Sequence, residues 1–146
     1  MIYNHRFQVK APLSEVVSFH RLAGSMSAIT PPPLRVQIHD APAILSAGDA
    51  MDFSLQLGPF RLRWIARIED ISASGFTDRQ LCGPFQEWNH RHSFHQVDEN
   101  LTEVSDQISA QLKKSFRGRL LGLGLWLGLP FLFAFRAWKT RALLEK

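Results

Sequence analysis

Apolar residues alternate with polar ones along most of this chain. Met51, Phe53, Leu55 and Leu57 take every second position of one stretch. After Gly58-Pro59, Phe60, Leu62, Trp64, Ala66 and Ile68 do the same, with Arg61, Arg63, Arg67 and Glu69 among the residues between them. A period of two sends one set to a core and the other to water, so the pattern predicts neighbouring antiparallel strands. The same reading places strands over residues 2–10, 34–39, 74–81, 86–97 and 101–110. Residues 12–21 read as a short helix with Ser14 as its N-cap. Thr30-Pro31-Pro32-Pro33 suits neither helix nor ladder and marks a stiff connection. Residues 116–145 read as one long C-terminal helix. The predicted whole is a single α+β domain over 1–146, a curved antiparallel sheet with helices gathered on one side.

Loop lengths predict how the strands register. A turn at Gly58-Pro59 pairs Leu57 with Phe60 and Phe53 with Trp64. A connection at Ile71-Ser72-Ala73 pairs Ile68 with Phe76. Loops at Gly83-Pro84-Phe85 and Asp98-Glu99-Asn100 set Asp78 against His90 and His92 against Asp106. One face then carries Phe53, Leu55, Trp64, Phe76, Trp88 and Phe94, with Asp78, Gln80, His90, His92 and Asp106 among them. Ionisable groups on an otherwise apolar face admit three readings: a hydrogen-bonded network tying strands together, a set that orients a ligand at a cavity wall, or a metal or acid–base site. His90-x-His92 alone does not make a zinc site, which needs further ligands and a partner shell.

Charge is divided unevenly. Residues 1–112 carry 9 Lys/Arg against 12 Asp/Glu; residues 113–146 carry 8 Lys/Arg against one acid, Glu145. The basic end has no nucleic-acid motif, so lipid is the better charged partner, beside the plain alternative of a solvated helix end. One cysteine, Cys82, excludes an internal disulfide and reads as a small apolar filler. With no signal-peptide pattern at the N-terminus, a reducing cytoplasm is the default compartment.

The residues resemble the START-like, or SRPBCC, superfamily of helix-grip proteins. The resemblance rests on Gln80-x-x-Gly83-Pro84-Phe85-x-x-Trp88-x-His90-x-His92-x-Phe94. It is supported by Phe7, Val9, Ala11-Pro12, Pro31-Pro32, Gly48-Asp49, Phe76-x-Asp78, Asp106 and Phe133-x-Phe135-Arg136. It implies seven strands curled around a C-terminal helix and an apolar tunnel between them. It also implies binding or carriage of a lipid, isoprenoid or polyketide-like molecule, or cyclase or dehydratase chemistry. No diffusible cofactor and no metal is expected, and no catalytic residue carries over. Phe53, Leu55, Trp64, Trp88, Phe94, Trp126, Leu129 and Phe133 are the expected apolar lining; Asp78, Gln80, His90, His92 and Asp106 are the expected polar contacts.

The final helix departs from an amphipathic grip. Leu120 to Phe135 is an apolar run of 16 residues containing Gly122, Gly124, Gly128 and Pro130, with Arg117 and Arg119 before it and Arg136, Lys139 and Arg141 after it. At 1.5 Å per residue it reaches about 24 Å, short of a bilayer span. Pro130 is expected to kink or divide it. Peripheral contact of residues 120–141 with an anionic membrane stays open beside the soluble carrier, as does an enzyme using His90 or His92 as acid–base.

Overall fold

The computed structural model describes residues 1–146. The alternating segments form strands β1 (Ile2–Val9), β2 (Arg35–Asp40), β3 (Ala50–Leu57), β4 (Phe60–Ser72), β5 (Gly75–Cys82), β6 (Glu87–Asp98) and β7 (Leu101–Gln111). Helices α1 (Leu13–Arg21) and α2 (Ser25–Ala28) follow β1, and α3 (Phe116–Leu127) and α4 (Leu129–Leu144) end the chain. The strands make one antiparallel sheet in the order β1-β7-β6-β5-β4-β3-β2. Its first and last strands in the chain direction, β1 and β7, pair side by side; this brings Phe7 opposite Val104 and His5 opposite Asp106.

The register follows the turn chemistry closely. Gly58 takes φ +58°, which a residue with a Cβ resists, and Leu57 pairs with Phe60, Leu55 with Leu62 and Phe53 with Trp64. Phe94 pairs with Val104, His92 with Asp106 and Asp78 with His90. Between β4 and β5 the expectation fails: Ile68 faces Asp78, not Phe76. Asp70 adopts φ +53°, and irregularities at Ile65/Ala66 and Glu69/Ser72 absorb extra residues. Over Ala66–Glu69 the slip is two residues, so these side chains stay on their predicted faces; the bulges at either end, before the Ile65–Cys82 and Ser72–Gly75 pairs, break that parity.

One helix expectation is corrected, and the expected break near Pro130 divides the last helix. Pro12, not Ser14, holds the N-cap position of α1, because its fixed φ already suits a helix start and Ser14 lies inside the first turn. The C-terminal helix is two helices, bent by 41° across Gly128 with Pro130 in the first turn of α4. Cys82 is exposed at the last position of β5, beyond the core, and is not a buried filler.

The core lies between the sheet's concave face and α1 and α4. Trp64 stands edge-on to Trp88 at 5.2 Å and lies 6.2 Å from Phe85, which sits 4.9 Å from Trp88. Phe133 reaches down from α4 to Tyr3, His5 and His90, at ring separations of 5.5 to 5.6 Å. Gly122 lets α3 approach this layer: a Cβ there would meet Leu112 at 2.7 Å and the Phe85 ring at 3.4 Å.

Candidate functional site: a buried His–Asp network under the closing helix

The sheet delivers four ionisable side chains to one spot in the core. His90 and His92 are two residues apart on β6 and share a face; Asp78 comes from β5 on one side and Asp106 from β7 on the other. The two imidazoles lie against each other, 3.8 Å between centroids and tilted by 32°. His90 Nε2 donates to Asp106 Oδ1 at 2.8 Å, and His92 Nε2 donates to Asp78 Oδ2 at 2.8 Å. The crossed contacts close the ring, with His92 Nδ1 3.2 Å from Asp106 and His90 Nδ1 3.5 Å from Asp78. Asp106 is 6% exposed and His90 5%.

Charge is distributed unequally within this ring. Burial opposes an imidazolium at His92, but hydrogen bonds to Asp106 and Asp78 outweigh it and hold its pKa up at about 9. At His90 burial and the neighbouring His92 charge prevail over the carboxylates, and the pKa falls below the ordinary 6.5. Burial alone would raise both carboxyls, yet the imidazoles draw Asp78 and Asp106 below the usual range. The distances agree with this state. A charged His92 donates from both nitrogens, a neutral His90 donates from Nε2 alone, and the longest of the four contacts is the one left without a proton.

A second layer comes from the helices. His20 on α1 donates Nδ1–H to the Val16 carbonyl at 2.8 Å, and burial lowers its pKa to about 4, so it is neutral. Arg136 on α4 lies three residues after Phe133, on the same helix side; burial lowers its pKa against the pull of Asp106 and Asp78, without neutralising so basic a group. Two carboxylates, His92 and Arg136 thus balance to zero net charge. Beside them is a void of about 20 Å³ lined by His20, His92, Asp106, Phe133, Arg136 and Thr140 among others. Two of its polar atoms, Arg136 Nε and Thr140 Oγ1, are buried without a hydrogen-bond partner.

The expected tunnel is therefore closed. The volume that would hold a ligand is occupied by Phe53, Trp64, Trp88, Phe94, Leu129 and Phe133, all within the core cluster, and the void that reaches the network has room for about one water. Leu55 and Trp126 pack against the cluster only partly buried. Gln80 is spent on a loop: its Nε2 donates to the Phe85 carbonyl at 2.9 Å and its Oε1 accepts from the Phe85 N–H at 3.2 Å. A wider groove, about 470 Å³, lies elsewhere, between α1, Ile44 and the last turn of α4, and contains none of the expected residues.

Asp78, His90 and His92 also bring three donor atoms within 4.8 Å of one another. A cation there would have to replace a proton that His92 holds between two carboxylates.

Sequence reasoning missed His20, Arg136, Thr140 and His5. His5 alternates with Tyr3, Phe7 and Val9, the same signal that marked His90 and His92. Arg136 carries a weaker one, a cation three residues from Phe133 in an apolar helix.

Solved structures share this fold over nearly their whole length. Protein CV1439 from Chromobacterium violaceum superposes with a TM-score of 0.74 at 10% identity, over 100% of this chain and 99% of its own. Protein NE0264 from Nitrosomonas europaea gives 0.75 at 9% identity, over 99% and 94%. The Zhui aromatase/cyclase from Streptomyces sp. R1128 gives 0.71 at 15% identity, over 99% and 96%. The chain has the START-like helix-grip fold. No protein-family model and no curated protein matches the sequence. In this helix grip, α4 with Phe133 and Arg136 is the closing element, and the His–Asp ring lies on the palm of the sheet beneath it.

Proposed function

We propose that the chain binds a lipid-like or polycyclic hydrophobic molecule between sheet and α4, with a carbonyl or hydroxyl oxygen of the ligand seated beside the His–Asp network. The observation that carries this reading is the void with its two orphaned polar atoms. Strand pairing is complete without the four ionisable side chains, and burying them costs free energy that an apolar replacement avoids. A ligand oxygen that accepts from Arg136 Nε and meets Thr140 Oγ1 would satisfy what the closed state leaves unpaired. The network's zero net charge favours a neutral oxygen over a carboxylate, which would add an uncompensated charge. Room for the apolar body comes from moving Phe133 and α4 about the Gly128–Pro130 break.

The test is native mass spectrometry with organic extraction of the purified protein, on the wild type and Thr140→Val. The expected result is a retained apolar molecule bearing a neutral oxygen, retained less by Thr140→Val although that variant folds at least as stably. Retention unaffected by Thr140→Val sinks the polar anchor, and failure to retain or take up any apolar probe sinks the binding reading.

Acid–base chemistry on a bound carbonyl compound is the second reading. Two histidines with pKa values pushed to opposite sides of 6.5 are suited to opposite proton-transfer roles, His92 as acid and His90 as base. The similar fold of an aromatase/cyclase adds support. Here His90→Gln would abolish turnover of a polyketide-like substrate while leaving its binding intact; unchanged turnover would reject the role.

A further inference from the structure

We infer that α3 and the first turn of α4 dock on an anionic membrane surface. Phe116, Leu120, Leu123, Leu127 and Phe131 recur at helical spacing, and all point away from the sheet: Phe116 is 81% exposed, Leu127 71% and Phe131 70%. The opposite side, through Gly122, Leu125, Trp126 and Leu129, already covers the core. A stripe of this size on water marks a contact surface.

Charge identifies the partner. No acidic residue occurs from 107 to 144, and Lys113, Lys114, Arg117 and Arg119 stand at the start of α3. A second copy of the chain would present the same surface, which has no carboxylate between residues 107 and 144 to meet these cations. Anionic headgroups bordering acyl chains complement both the cations and the stripe. Neither helix alone is long and apolar enough to span; the two meet that test only together, as a pair bent by 41°, and packing decides against it. Twelve residues of α3 reach about 18 Å against a hydrocarbon core of about 30 Å. α4 is committed to the sheet through Leu129, Phe133, Ala137 and Thr140. The helix therefore lies in the interface plane, and this reading stands whether or not a ligand enters the core.

Co-sedimentation of the full chain with vesicles of phosphatidylcholine, alone or mixed with phosphatidylglycerol, tests it. Binding is expected only to the mixed vesicles and is expected to fall as salt rises. Arg117→Gln with Arg119→Gln should weaken it about twenty-five-fold, at roughly fivefold per cation near the surface. Leu120→Ser with Leu127→Ser and Phe131→Ser should abolish it with an unchanged circular dichroism spectrum. Equal binding to both vesicle types, or none to either, overturns the inference. So does a stable dimer in solution that the triple serine variant dissolves.

Discussion

Phe133 and Phe131 are two residues apart on one helix and live in opposite worlds. Phe133 is sealed over a ring of histidines and carboxylates, while Phe131 is 70% exposed on a cation-bordered stripe. Inside, the molecule puts charge where oil is the usual filling; outside, it puts oil where charge is the usual covering. Both departures cost the folded chain something, and sequences depart from pattern in this way mostly at sites that act. The interior departure fits a ligand's polar seat and the exterior one a membrane face.

The contrast can be broken most forcefully at Asp106. Asp106→Ala leaves a buried imidazolium short of a carboxylate, and chemical denaturation should show a loss of about 3–5 kcal/mol. Phe133→Ala is expected to fall in the same range of about 3–5 kcal/mol, whereas Phe131→Ala should stay within about 0.5 kcal/mol. Equal costs for the two phenylalanines would erase the distinction between the faces.

Protons offer the next largest effect. His92 has a folded pKa of about 9, above the 6.5 of an unfolded imidazole, so its contribution is fully present below 6.5 and lost as pH rises toward 9. The loss is about 3 kcal/mol over that window. His20 runs the other way: with a folded pKa of about 4, it stays neutral while the unfolded imidazole takes up a proton, so stability falls as pH drops from 6.5 toward 4. His90, also lowered, adds to this. Thermal melts should therefore peak near pH 6.5, and a plateau from 6.5 to 9 would contradict the charged His92.

A smaller effect carries an unusual sign. Thr140→Val removes a fully buried, unpartnered hydroxyl and should raise the stability of the ligand-free chain by about 1 kcal/mol. A fall in melting temperature would mean that the hydroxyl is already paired.

Much of this was legible in the chain. Turns at Gly58 and near Asp98 set register, and period-two alternation placed Asp78, His90, His92 and Asp106 on one face before any coordinates. Even the misjudged β4–β5 pairing preserved faces over Ala66–Glu69, where its error was two residues. Three things were not legible. The bulges near Asp70 depend on backbone strain that alternation does not report. The closure of the tunnel depends on how Trp64, Phe85, Trp88 and Phe133 interdigitate. Arg136, His20 and Thr140 join the network only through the docking of α1 and α4, a tertiary event with little local trace.

Histidine-selective ¹⁵N NMR across a pH series tests the central claim most directly, that the palm of the sheet holds a charge-separated imidazole pair. The account predicts that His92 keeps both ring protons until about pH 9, while His90 carries one proton, on Nε2, from neutral pH downward past 6.5. Two rings titrating together near 6.5 would contradict it.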